Sequence, residues 1–177
     1  METQGWAVTG WLWPPLEGER VRLRPPAPGD EPALIEMATD TRVRRYLGGP
    51  ADEATAAARA ARKATAPAWG EFVIVDVVTG QVVGSGSLAR KRGPWEVSFQ
   101  LRQQCCGNGF ALEAVQLIRD WFFRHTTEDL LIATTQQANA ACRRLLVRAG
   151  AVLAGTFEQY QVVQERYEFQ RACVRVI

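Results

Sequence analysis

Residues 95–101 alternate strictly and run straight into a glycine loop and then a long amphipathic helix, and this junction most constrains the fold. Trp95, Val97, Phe99 and Leu101 point one way from a strand, and Glu96, Ser98 and Gln100 point the other. Gln104, Cys105, Cys106, Gly107, Asn108, Gly109, Phe110 and Ala111 follow. Their two glycines let the backbone turn tightly, so that several amide N–H groups converge on one anion. The helix over residues 110–124 adds the positive end of its dipole. Strand, glycine loop and helix N-terminus together make a diphosphate cradle, although the same pattern also serves simply to start a helix.

The rest of the chain supplies the frame. Residues 1–15, rich in Trp, Pro and Gly without period, read as an irregular arm, and residues 16–177 as a single domain. Residues 20–24 alternate as a first strand. Asp30 stands where it can cap a helix over residues 31–39, and the Ala-rich residues 51–66 form a second helix ended by Pro67. Residues 71–78 and 81–88 are β-branched runs joined by Thr79 and Gly80, a hairpin pattern. Residues 130–135 read as a short buried strand, 139–148 as a helix closed by Gly150, and 151–160 with 164–176 as a final antiparallel pair. Strand–helix–strand crossovers occur only late. The expectation is an α+β fold with a mixed, mostly antiparallel sheet of about seven strands flanked by about four helices, not a doubly wound Rossmann domain.

Composition removes several function classes. A formal net charge of +2, with basic residues spread along the chain, argues against a nucleic-acid partner or an anionic membrane surface. No apolar run approaches the ~20 residues of a membrane span, and the N-terminus lacks the pattern of a signal peptide. Cys105, Cys106, Cys142 and Cys173 form no CxxC pair, and His125 is the only histidine, so no metal site is expected. Reduced thiols in a cytoplasm are the simpler reading. A Cys- or Ser-dependent hydrolase would have to use His125, which ends the helix over residues 110–124, where a cation suits the dipole.

Four pieces of the chain, in order, resemble the GNAT superfamily of acyl-CoA N-acyltransferases, in the branch of the ribosomal-protein N-terminal acetyltransferases. They are residues 16–25, residues 75–88 with their Thr79-Gly80 turn, residues 96–114, and residues 139–150. The resemblance covers residues 16–174. It implies that acetyl-CoA is the co-substrate and that its acetyl group passes to a primary amine by direct attack in a ternary complex. The pyrophosphate would sit on the backbone of Gln104, Cys105, Cys106, Gly107, Asn108 and Gly109, at the helix that begins with Phe110 and Ala111. The pantetheine arm would pair with Phe99, Gln100 and Leu101 like an extra strand, and Asn139 would hydrogen-bond it.

The same resemblance implies a division of chemical labour. Glu96 matches the strand glutamate that takes the amine proton, through a water; a solvated strand position is the plain alternative. A backbone N–H near Phe99 would stabilise the oxyanion. The position of the Tyr that returns a proton to the CoA thiolate in much of the superfamily is Leu146 here. In the ribosomal branch a Ser three after the Asn is nearer, and here it is Cys142, a poorer donor or simply a small buried residue. Cys106 and Asn108 replace the basic residues usual around the first glycine, Leu112 a common Thr, and Ala151 the Phe of a Gly-Phe pair. Each lost charge-assisted contact would cost ~1–3 kcal/mol, unless Arg102, Arg143 or Arg144 compensates. A non-catalytic GNAT-fold ligand-binding or protein-interaction module is the alternative these departures leave. The acceptor, a protein N-terminus or a small molecule, is open, and so is a homodimer.

Overall fold

A computed structural model describes residues 15–90 and 93–171 of the chain. The expected irregular arm, except Pro15, and residues 172–176 of the last expected strand lie outside the described residues. Eight strands form one sheet in the order β1-β2-β3-β4-β5-β6-β8-β7. They are β1 (Leu16–Glu17), β2 (Val21–Arg24), β3 (Glu71–Asp76), β4 (Val82–Ala89), β5 (Trp95–Leu101), β6 (Leu130–Gln136), β7 (Val152–Gln159) and β8 (Val162–Gln170). All pairings are antiparallel except β5 with β6. The strand beyond the expected seven is β1, whose two residues pair with Leu23 and Arg22. A strand that short has no alternation to read.

Helices α1 (Glu31–Thr39) and α2 (Glu53–Thr65) cover one face of the sheet, and α3 (Phe110–His125) and α4 (Ala140–Arg148) the other. The division follows the strand alternation. Val97, Ile74 and Leu131 pack with Ala114, Val115, Ile118 and Phe122 of α3, whereas Val73, Val75 and Val82 pack with Leu34, Met37 and Ala60 on the α1–α2 side. Burying a side chain such as Ile118 or Phe122 stabilises the fold by about 1.5–3 kcal/mol relative to leaving it exposed. Glu96, Ser98 and Gln100 therefore stand on the α1–α2 face, as the alternation predicts.

One expected cap is not made. Asp30 precedes α1 but its side chain does not cap it. Its carboxylate instead accepts from Arg24 Nη1 and Nη2 at 2.7 and 2.9 Å and from Ala27 N at 2.8 Å. A buried carboxylate takes the cation within reach before a neutral amide, since the charge-assisted bond is the stronger. Asp52 and Asn139 do cap α2 and α4, through Thr55 N and Cys142 N.

Candidate active site

The parallel pairing of β5 with β6 is two residues long, Trp95 with Leu131 and Glu96 with Ile132. Both strands continue, to Leu101 and Gln136, but they part. The gap is a cleft of about 1010 Å³, lined by residues 97–101 on one side, residues 133–136 on the other, and Asn139, Cys142 and Leu145 of α4. The outer edge of β5 is unspent there. Arg102 N bonds Val83 O, and the carbonyls of Gln100 and Ser98 lie against the β4 glycines Gly84 and Gly86. By the alternation of backbone groups, Phe99 and Leu101 carry their N–H and C=O toward the cleft.

The glycine loop closes one end of the cleft. Gly107 and Gly109 have φ of 86° and 82°, a region costly for other residues, and Gly109 leads into α3 with no side-chain cap. The first helical amides, Phe110, Ala111 and Leu112, have no intrahelical acceptor, because the ladder begins with Glu113 N to Gly109 O. Unbonded amides at the positive end of a 16-residue helix are what an anion needs. Glu113 holds this corner from below, accepting from Arg20 N at 3.0 Å. A Cβ on Gly18 would stand 2.5 Å from the Glu113 Oε1, so any larger residue in the β1–β2 turn would have to displace the Glu113 carboxylate.

Most of the sequence-predicted residues meet here. Phe99, Gln100, Leu101, Cys106, Gly107, Gly109, Ala111, Asn139 and Cys142 line the cleft. Asn108 and Phe110, with Gly107 and Gly109, line an adjoining cavity of about 1100 Å³. Three fall outside both linings. Gln104 donates to Glu36 Oε1 at 3.0 Å and so faces α1, and Cys105 packs on the core. Glu96 lies two residues short of Ser98, about 7 Å along the strand at ~3.3 Å per residue. It shares the Ser98–Gln100 face, where Ser87 meets Ser98 at 2.9 Å and Ser85 accepts from Gln100 at 3.2 Å.

The thiol of Cys142 is pushed up by burial, with a Thr135 hydrogen bond pulling the other way. It is therefore protonated at neutral pH. Leu146, at the Tyr position of much of the superfamily, is fully buried in the core. His125 stacks on Trp121 at 5.3 Å and shares a hydrogen bond with the Trp121 carbonyl, as a helix-end residue does.

The cations at the glycine loop are not all those expected. Arg102 is bound to Glu36 and Arg143 to Glu165, so neither is free for a phosphate. Arg144 lines the cleft. Two more come from residues that the sequence did not single out. Arg20 lines the adjoining cavity and donates from Nη1 to Asn108 O at 3.1 Å, and Arg148 of α4 lines both cavities. The doublet Arg20, Arg22 on an alternating strand was visible, but not its proximity to residue 108.

A model of the acetyltransferase (GNAT) domain family matches residues 20–152. The chain belongs to the GNAT acetyltransferase family. No match was found among curated proteins. Solved structures agree on the fold. A GNAT-family acetyltransferase from Bacillus anthracis superposes with a TM-score of 0.79 at 20% identity, over 88% of this chain and 98% of that one. A ribosomal-protein-S5-alanine acetyltransferase from Vibrio fischeri gives 0.68 at 16% identity, over 90% and 98%. An acetyltransferase from Salmonella typhimurium, which modifies the N-terminal serine of ribosomal protein L7/L12, gives 0.71 at 11% identity, over 89% and 99%. Among the described residues no helix is long and apolar enough to cross a membrane.

Proposed function

We propose that this protein transfers an acetyl group from acetyl-CoA to a primary amine in a ternary complex. The observation that carries the reading is the two-residue β5–β6 pairing that opens into a cleft ending at the glycine loop. The Phe99 carbonyl and the outward backbone groups of Leu101 pair with the pantetheine amides, leaving the Phe99 N–H for the reacting carbonyl, and Asn139, whose Oδ1 is spent on Cys142 N at 3.2 Å, offers its amide NH₂. The amides of Gly107, Gly109 and the first turn of α3 take the pyrophosphate, with Arg20, Arg144 and Arg148 supplying the charge that Cys106 and Asn108 lack.

The neutral amine attacks the thioester carbonyl, a C–N bond forms, and the C–S bond breaks. Glu96 takes the ammonium proton through a water that spans the distance to Ser98, which frees the lone pair for attack. The Phe99 N–H stabilises the oxyanion, and Cys142 donates its proton to the departing thiolate and is reprotonated by the proton that the new amide nitrogen sheds. That Cys142 is held as a thiol supports its part. The acceptor enters on the Ser98–Gln100 face. A protein N-terminus, as in the ribosomal relatives, and a small amine are the two acceptor classes, in a cytoplasmic setting. The test is release of free CoA thiol from acetyl-CoA with a panel of N-terminal peptides and small amines. Amine-dependent release is expected; none with any amine would overturn the reading.

A further inference from the structure

Every described arginine of intermediate burial except one has a carboxylate within ion-pair distance: Arg24, Arg102, Arg119, Arg143 and Arg171. The exception is Arg44, in the turn after α1. Its Nε donates to Gly49 O at 3.1 Å, its Nη2 to Leu47 O, and its Nη1 to Gln100 Oε1 at 3.5 Å. Three of the five guanidinium N–H groups are spent on neutral acceptors, and the charge stays uncompensated. Burial and the nearby charge of Arg59 both lower the Arg44 pKa, the mark of two cations facing one space. Holding a half-buried cation among carbonyls costs free energy that a carboxylate would have relieved.

That space is a cavity of about 490 Å³ between α1, α2 and the face of the sheet at β4 and β5. Arg44, Arg59 and Lys63 line it; Lys63 is paired with Glu71 at 3.4 Å, and the one carboxylate in the lining, Asp52, accepts from the Thr55 amide and hydroxyl. Gly48 and Gln100 line both this cavity and the acyl cleft, so a molecule with its amine in the cleft reaches Arg44 along Gln100.

We propose that this cavity seats a carboxylate of the acceptor, with Arg44 and Arg59 as its ligands, so that the preferred acceptor is an amine bearing an acidic group. The proposal rests on the acyl-transfer reading for the amine's role, but the anion site itself can be measured without turnover. The probes are two pairs that each differ by one carboxylate: glutamate against glutamine, and the amidated peptide Ala-Glu-Ala against the amidated Ala-Gln-Ala. Calorimetry on the full chain is expected to show the acidic member of one pair binding about tenfold more tightly, the worth of one charge-assisted contact. Which pair responds tells a free amino acid from a peptide. Arg59→Gln, at an exposed position, should bring the ratio near one without changing the melting temperature. Arg44→Gln should do the same, and Arg44→Lys should restore part of it.

Equal binding of acidic and neutral probes in the native chain would overturn the proposal, as would a preference that survives both glutamine variants. Thermal stabilisation by acetyl-CoA in the same samples reads the acyl-transfer assignment separately. A chain that ignores acetyl-CoA yet prefers the acidic probes keeps the anion site and loses that assignment.

Discussion

Arg20 reaches from the β1–β2 turn to the glycine loop and donates to the Asn108 carbonyl at 3.1 Å. It thereby fixes the loop and places a cation beside backbone amides whose own neighbours, Cys106 and Asn108, are uncharged. Arg20→Ala is expected to weaken acetyl-CoA binding about tenfold, the worth of one charge-assisted contact. Titration calorimetry checks it; an unchanged Kd would mean that the backbone amides and helix dipole suffice.

Adding charge should act in the opposite direction. Cys106 is exposed, lines the cleft, and its thiol makes only a 3.7 Å contact with Arg102 O. Cys106→Arg therefore disturbs little and is expected to tighten acetyl-CoA several-fold, more at low salt than at high. Equal affinities across salt concentrations would show that no charge is missing there.

Glu96 tests the chemistry apart from binding. Glu96→Gln is expected to lower kcat by about 10²–10⁴-fold, the usual contribution of a general base. The Kd for acetyl-CoA should stay unchanged, because Glu96 lines neither cavity. An unaltered rate would make it an ordinary strand residue.

Cys142 should behave as a buried thiol. Burial pushes its pKa up from 9.0, so alkylation near neutral pH is expected to be slow, and acetyl-CoA should slow it further. Cys142→Ser keeps a donor and should retain turnover that Cys142→Ala loses. Equal rates in the two variants would leave the thiol a packing residue only.

Acid should loosen the fold through two carboxylates. Hydrogen bonds from Arg102, then from Gln104, hold Glu36 below 4.5 against burial. Burial pushes Glu165 up, but the bonds from Tyr167 and Arg143 outweigh it and bring it below 4.5. Groups depressed in the folded state add stability above the unfolded pKa, and that stability is lost as pH falls through the folded value. The melting temperature should therefore drop below about pH 4.5, and Glu36→Gln should flatten that drop. Glu165→Gln should destabilise by less than the ~3–5 kcal/mol of a fully buried pair, since Arg143 is partly solvated.

The parts legible in the sequence were those whose causes are local. Strict alternation placed Glu96, Ser98 and Gln100 on one face of β5, and Gly107 and Gly109 marked a turn that needs positive φ. Asn139 was legible as the start of a helix, but not as the residue that caps α4 by accepting from Cys142 N. The parts not legible arise from distance. Arg20 and Arg148 serve the loop only because β1, β2 and the end of α4 fold beside it, and Arg44 is unusual only once its neighbours are known. Asp30 looked like a cap because the sequence does not show Arg24 folding back onto it. Gln104 sat inside the motif yet turned toward Glu36, since a motif orders the backbone and not each side chain.

The central claim is that the cleft between the parted ends of β5 and β6 binds acetyl-CoA, and thermal unfolding with and without that ligand tests it most directly. At a hundredfold excess over Kd, binding to the native state should add about 2.7 kcal/mol and raise the melting temperature by roughly 5–10 °C. An unshifted melting temperature at millimolar acetyl-CoA would contradict the account.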